Sequence, residues 1–164
     1  FHKTYFNGDI SKWDVSKVTT MVHMFEDSQF NGDISKWKVH NVTNMGYMFH
    51  KTYFNGDISK WVVSNVKNME YMFANSKCKF NSDLSQWDVS NVENMNSMFK
   101  NSKFNGDISK WVVSNVIIMY RMFMNSHFNG DLSQWKVSSL KNKDDMFKNC
   151  QFDDSKLKWN LCNY

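Results

Sequence analysis

The sequence predicts an α/β repeat solenoid, in which short strands and short helices alternate along a coiled chain. Two observations predict it. A unit of about 24 residues recurs along almost the whole chain, and the apolar positions change their spacing partway through each unit. One unit of this size cannot bury its own apolar face, whereas stacked units can. We therefore expect a single solenoid domain over residues 1–164, made of about six and a half repeats.

Aromatic residues mark the repeat most clearly. Phe recurs once per unit at a constant interval, apart from one longer interval that includes Cys78 and Lys79, and Trp keeps the same register. Large rings at a fixed spacing indicate core packing. The Phe column is Phe6, Phe30, Phe54, Phe80, Phe104, Phe128 and Phe152. The residues that we assign to the core are Phe30, Trp37, Met48, Phe54, Trp61, Met72, Trp87 and Trp111.

Each half of the unit predicts a different element. In I-S-K-W-x-V, Trp and Val are two residues apart, which is typical of a short strand with one buried face. In the second half, Val66, Met69 and Met72 lie on one side of a helix, and Ser64 is placed to cap its N-terminus. Glycines such as Gly56 are available for turns with positive φ.

Stacking such units predicts the shape of the domain. Helices are wider than strands, so we expect a right-handed coil with short parallel strands on the concave face and short helices on the convex face. The repeat length lies inside the range of roughly 20–29 residues found in leucine-rich repeats. The expected fold is therefore a leucine-rich-repeat-like solenoid.

Composition excludes several classes of function. The net charge of +4 is spread along the chain and Arg121 is the only Arg, which argues against nucleic-acid binding. No apolar run reaches the length of a membrane span. Column-wise repetition offers no unique catalytic constellation, and the five His show no metal-binding spacing, so we expect no enzyme, no metal and no cofactor. The cysteines are expected to be free, although a bridge between Cys150 and Cys162 stays open.

Positions that vary between repeats are the candidate binding residues. The residue after Trp, on the predicted concave strand, samples acid, base and apolar side chains, although loose constraint would explain this equally well. We call these positions the variable column: Asp14, Lys38, Val62, Asp88, Val112 and Lys136. On the predicted helix side, apolar or bulky residues replace polar equivalents and form a second candidate patch: Ile117, Ile118, Tyr120 and Arg121.

Two polar columns have competing explanations. The Asp column is Asp9, Asp33, Asp57, Asp83, Asp107 and Asp131. It is either a row of Ca²⁺ sites or a set of turns in which each carboxylate accepts backbone N–H groups, and we favour the turns. Asn65, Asn91 and Asn115 are expected to form hydrogen-bonded ladders between coils.

The repeat also resembles a known group of proteins. The stretch FNGDISKWVVSNVKNMEYMFANS resembles the BspA-like leucine-rich-repeat surface proteins, and in particular the repeat of unknown function found in mycoplasma lipoproteins. The resemblance covers essentially the whole chain. It implies a leucine-rich-repeat-like solenoid at a cell or particle surface that adheres to host or matrix components. It implies no shared catalytic residues.

We therefore expect a non-enzymatic adhesion module that recognises a protein or glycan of a host or matrix surface. The alternative is a structural spacer that packs against neighbouring proteins of a cell envelope or a virus-like particle. The expected location is the cell surface or the extracellular space, or alternatively a particle surface. The degenerate repeat at 152–164 is expected to act as a C-terminal cap, and the chain to be part of a longer array.

One stretch of thirteen residues is duplicated without a change. Residues 1–13 and 49–61 both read FHKTYFNGDISKW, and even their loop residues match. Packing does not require identical loops, so recent duplication within the gene explains the match best.

Overall fold

The computed structural model describes residues 1–77 and 80–159. The chain winds into stacked coils of one repeat each, with regular solenoid-like packing. Regular secondary structure in these residues amounts to isolated parallel bridges and one 3-10 helix, Asp154–Lys156. The bridges join Thr20 to Asn44, Asn44 to Asn68, Asn68 to Asn94, Asn94 to Ile118 and Ile118 to Asn142. The repeat solenoid is thus confirmed, but the predicted strands and helices of each unit are wrong.

β-turns replace the predicted strand. The N–H of Trp37 donates to the carbonyl of Ile34 at 3.1 Å, and the N–H of Val42 donates to the carbonyl of Val39 at 2.9 Å. Lys38 alone lies between the two turns, and neither it nor its neighbours Trp37 and Val39 pair with another coil as a strand does. Trp and Val point inward on either side of it, which produces the same two-residue alternation that a strand would.

Two consecutive turns replace the predicted helix. The N–H of Met48 donates to the carbonyl of Met45 at 3.2 Å, and Tyr47 between them has a φ of 59°. The carbonyl of Tyr47 then accepts the N–H of His50 at 3.1 Å, and Lys51 has a φ of 57°. A left-handed residue at every fourth position interrupts any right-handed helix. The turns nevertheless bring the Met and Phe side chains to the inside, as a helix would.

Hydrogen bonds between coils explain this choice. The N–H of Met45 donates to the carbonyl of Asn68 at 2.9 Å, and the N–H of Phe49 donates to the carbonyl of Met72 at 3.0 Å. Such bonds hold neighbouring backbones about 4.8 Å apart, whereas an α-helix with its side chains needs about 10 Å. A helix in every coil could not keep these bonds. Without helices on one side, the reason to expect a convex and a concave face disappears.

The core consists of columns of stacked side chains. All eight residues that we assigned to it are buried, with at most 4% of their surface exposed. The Phe rings of neighbouring coils stack nearly parallel. Their centroids are 5.7 Å apart between Phe25 and Phe49 and 6.3 Å apart between Phe30 and Phe54. Each coil therefore contributes one layer to a continuous aromatic core.

The Trp column combines burial with hydrogen bonding. The indole N–H of Trp37 donates to the carbonyl of Ile10 in the preceding coil at 3.1 Å, and Trp61, Trp87, Trp111 and Trp135 repeat the bond. This column thus satisfies its polar atom through the stack. Two described members depart from the pattern: Trp13 in the first coil is half exposed, and the buried indole N–H of Trp159 has no acceptor. The seventh repeat has therefore lost the indole hydrogen bond, while Phe152 still stacks on Phe128 and Phe147.

Glycine in the F-N-G-D turn has a role other than the one we predicted. No glycine among the described residues has a positive φ. Instead, the Phe ring two residues earlier covers the glycine, and a Cβ on Gly56 would lie 2.8 Å from Cε2 of Phe54. Where Ser82 replaces the glycine, the rings of Phe54 and Phe80 are inclined by 28°, against 4° between Phe30 and Phe54. Glycine thus lets the Phe ring lie directly over the backbone of its own turn.

The described part of the chain contains no helix long and apolar enough to cross a membrane.

Candidate functional site

The variable column forms an exposed stripe along the stack. Every member is exposed, and Val62 and Val112 each show 56% of their surface to solvent. The Trp and Val residues on either side of the stripe are buried in the central coils, although Trp13 is half exposed and Val137 only partly buried at the ends. The variable side chains are therefore the ones that the Trp turn presents outward. The two Asp residues are partly engaged, because Asp14 and Asp88 each accept a backbone N–H from the Ser two residues later, at 3.0 and 3.1 Å. The Lys and Val members project without such a bond to their own turn.

A shallow depression surrounds Val112. It has a volume of about 310 Å³ and is lined by Lys110, Trp111, Val112, Gln134 and Lys136 among others. Two aliphatic or aromatic side chains thus lie beside two ammonium groups and an amide. This mixture suits a partner that offers apolar surface together with carboxylate or hydroxyl groups.

The second predicted patch is divided by the structure. Ile117 lines a cleft of about 590 Å³ together with Asn115, Ser139 and Lys141 among others. Elsewhere along this face an Asn spans each pair of coils, as where Asn115 Nδ2 donates to the carbonyl of Ser90 at 2.8 Å. Ser139 occupies the Asn position in the next coil and is too short to span the gap, and the Ser114 carbonyl instead accepts the hydroxyl of Ser138 at a longer distance of 3.4 Å.

The other patch residues have different surroundings. Ile118 is half-buried in the bridge column. The Arg121 guanidinium lies 4.5 Å from the centroid of the Tyr120 ring, and its Nε donates to Asp145 Oδ2 at 3.1 Å. These two residues are therefore tied to each other and to the next coil, and they lie in a turn, not on a helix.

The Asp column makes turns. Oδ1 of each member accepts the N–H of the Ser two residues later, at 2.8–2.9 Å. The bonds from the Ser35 N–H and hydroxyl hold the pKa of Asp33 below its ordinary value. The Asn ladders are also present as predicted, since Asn65, Asn91 and Asn115 each donate to the carbonyl of an earlier coil at 2.7–2.8 Å.

Sequence reasoning missed a histidine–glutamate cluster. The Glu26 carboxylate is surrounded by three imidazoles. His2 Nδ1 and His23 Nδ1 lie 2.9 and 2.6 Å from Oε2, and His50 Nδ1 lies 2.8 Å from Oε1. His2 and His23 are about half exposed, whereas the His50 side chain shows 9% of its surface. Three of the chain's five His therefore converge on one carboxylate.

Burial and hydrogen bonding act in opposite directions at this cluster. Burial raises the pKa of Glu26, but the hydrogen bonds from His50 and His23 outweigh it, and the pKa is lowered. Burial lowers the pKa of His50, only partly offset by the Glu26 carboxylate, which favours a neutral ring. Asn75 Nδ2 lies 3.0 Å from His50 Nε2 and can only donate, so the His50 proton resides on Nδ1 and points at Glu26.

One family model matches both halves of the chain. Its description is "Mycoplasma protein of unknown function, DUF285", and it covers residues 1–79 and 75–164. The chain belongs to this family. No curated protein and no solved structure matches it. The DUF285 description states no activity and no ligand, so the chemistry has to be argued from the residues themselves.

The repeat alignment of this DUF285 chain does contain a signal for the cluster. His2, Glu26 and His50 occupy one position in three successive coils, each one repeat after the last. Searching for short motifs such as HxxxH could not find them, because the solenoid brings together residues that are distant in sequence. His23 joins them from a neighbouring column through its left-handed turn, with a φ of 58°.

Proposed function

We propose that this DUF285 chain is a non-enzymatic binding module, displayed on a cell or particle surface, that recognises a protein or glycan partner through the variable column. The proposal extends the family assignment to the BspA-like leucine-rich-repeat surface proteins that the repeat resembles. The observation that carries it is the exposure of Val62 and Val112 within a stripe that otherwise holds charged residues. Apolar side chains kept in solvent beside charged ones are typical of contact surfaces.

Regularity elsewhere supports the same assignment. The core columns and the turn-forming Asp residues repeat from coil to coil, while the variable column changes its chemistry. A rigid scaffold that varies at one exposed position per coil offers a partner an ordered row of different side chains. The depression at Val112 gives this row a place for a group that inserts.

The test replaces four members of the column at once. In one variant Lys38, Val62, Asp88 and Val112 are changed to Ser, and binding is measured on a printed glycan array and on a panel of purified extracellular-matrix proteins. A matched control changes Val22 and Tyr53 to Ser, since these are exposed apolar residues outside the column. We expect the quadruple variant to lose the binding of the parent chain and the control to keep it. Unchanged binding by the quadruple variant would exclude the column.

A structural spacer is the second candidate. Its support is the hydrogen bonding that repeats between successive coils of the described residues, which suits a stiff rod that holds its neighbours at a fixed distance. Deleting residues 31–54 removes one complete repeat and should shorten the molecule by about 5 Å in small-angle scattering. A spacer would keep any affinity after this deletion, whereas a binding module that uses Lys38 would lose part of it.

A further inference from the structure

The cluster around Glu26 has the donor set of a transition-metal site. The ligand atoms of His2, His23 and Glu26 lie within 4.8 Å of one another. Two imidazole nitrogens and one carboxylate oxygen, with space for water, are a common arrangement for zinc in proteins. Imidazole nitrogen is also a preferred ligand of copper and nickel, whereas magnesium prefers oxygen alone.

The present distances are close to those that a metal requires. Tetrahedral zinc with bonds of about 2.0–2.1 Å places its ligand atoms about 3.3 Å apart. The two Nδ1–Oε2 distances, 2.9 and 2.6 Å, have to open by less than about 1 Å. Both imidazoles are about half exposed, so this movement requires no repacking of the core.

Residues behind the cluster hold the carboxylate in place. His50 donates from Nδ1 to Oε1 of Glu26, which leaves Oε2 facing His2 and His23. Asn75 fixes the other nitrogen of His50, and Asn101 Nδ2 donates to Asn75 Oδ1 at 2.6 Å. Metal ligands in proteins are oriented by outer hydrogen bonds of this kind, and their loss weakens metal binding.

A ring contact orients one of the imidazoles as well. His23 stacks on Tyr47 with a centroid distance of 4.8 Å and an interplanar angle of 29°. The contact restrains the ring before any ion arrives. Most of the ordering that a metal site needs is therefore already present, which reduces the entropic cost of binding.

We propose that His2, His23 and Glu26 bind one divalent transition-metal ion, with zinc as the best fit, and that the ion ties the coil of His2 to the coil of His23 and Glu26. The site is independent of the variable column and of the partner proposed for it. Its role is structural, because the ion would add a cross-link between coils that otherwise share only hydrogen bonds and packing. An ion bound only by the folded chain raises its thermal stability.

Isothermal titration with zinc chloride tests the proposal. Cys78, Cys150 and Cys162 are first changed to Ser, so that thiolates cannot compete for zinc. In this background we expect one zinc per chain, a higher melting temperature with zinc, and no effect of magnesium. His2→Asn and His23→Asn should each weaken zinc binding by more than about tenfold. Circular dichroism in chelator checks that both variants remain folded.

Two other histidines provide matched controls. His40 and His127 are exposed and lie outside the cluster, so His40→Asn and His127→Asn should bind zinc as the parent does. NMR of the imidazole resonances should show zinc-dependent shifts for His2 and His23. Absence of zinc binding by the parent would overturn the proposal, as would full binding by His23→Asn or an equal loss in His40→Asn.

Discussion

Replacing Gly56 by Ala tests how tightly the Phe column is packed. The new Cβ would lie 2.8 Å from both Cε2 and Cζ of the Phe54 ring, well inside normal contact distance. Overpacking of this kind typically costs about 1–3 kcal/mol. The φ of Gly56 is not positive, so Ala also gains about 0.4–1 kcal/mol from the reduced entropy of the unfolded chain. The clash is the larger effect, and we expect a net loss of about 1–2 kcal/mol.

Ser82 shows how the ring would respond. At that coil the natural side chain coincides with inclinations of 28° and 24° between the Phe80 ring and its neighbours. We expect the Phe54 ring in Gly56→Ala to incline in the same way. A loss of about 1–2 kcal/mol in a chain of this size lowers the melting temperature by roughly 2–8 °C. Thermal unfolding followed by near-ultraviolet circular dichroism measures both stability and aromatic packing.

A double-mutant cycle isolates the contact between ring and Cβ. Phe54→Leu removes the ring atoms that the new Cβ would meet, although the variant alone is less stable because of the cavity. In this background Gly56→Ala should be neutral or slightly stabilising, since only the entropy effect remains. A Gly56→Ala variant that melts at or above the parent temperature would refute the reasoning. An equal loss with and without the Phe54 ring would refute it too.

Three further predictions follow from other columns. Acidification below about pH 4 should lower the stability of the chain, because carboxyls such as Asp33 have a lowered pKa in the folded state and their contribution is lost as the pH falls through it. Urea unfolding followed by Trp fluorescence at neutral and acidic pH measures this, and Asp33→Asn should make the stability depend less on pH. Trp87→Phe removes the indole bond to the Ile58 carbonyl and should cost about 1–2 kcal/mol in urea unfolding. Ser139→Asn should extend the Asn ladder to the Ser114 carbonyl, which among the described residues accepts only the 3.4 Å bond from the Ser138 hydroxyl. It should raise stability by at most about 1.5 kcal/mol in the same assay, and a loss of stability would contradict this account of the cleft.

The buried columns could be predicted from the sequence because they depend only on the repeat length. Coils of equal length that stack in register bring identical positions into contact, whatever their internal backbone. Trp37, Met48 and Phe54 are therefore inside for the reason that we gave. The turns of the Asp column were predictable as well. An Asp side chain readily accepts the backbone N–H two residues later, as Asp33 accepts the N–H of Ser35.

The backbone inside each coil could not be predicted from the same pattern. Apolar offsets of three and four residues fit both an α-helix and a pair of turns that fold inward. The hydrogen bonds between coils favour the pair of turns over the α-helix. They depend on the distance between neighbouring coils, which the sequence of one repeat does not show. The first left-handed residue of each coil, such as Tyr47, carries no warning in its type, because it is neither glycine nor asparagine. The second left-handed position is Asn in four coils, a signal that the reasoning from the sequence missed: Asn75, Asn101, Asn125 and Asn149. The right-handed winding of the coil stays a prediction.

The histidine–glutamate cluster gives the duplicated stretch a structural consequence. Its two copies are two coils apart, so each places a His beside the coil between them, where Glu26 replaces it. The adjacent column alternates in the same way at Lys3, Asp27 and Lys51. The hydrogen bond from Lys77, together with the charges of Lys77, Lys51 and Lys3, lowers the pKa of Asp27. A column of identical residues can only repeat one interaction along the stack. A column that alternates base, acid and base instead brings different side chains together at one position of the stack. In this chain the column of His2, Glu26 and His50 produces such a cluster.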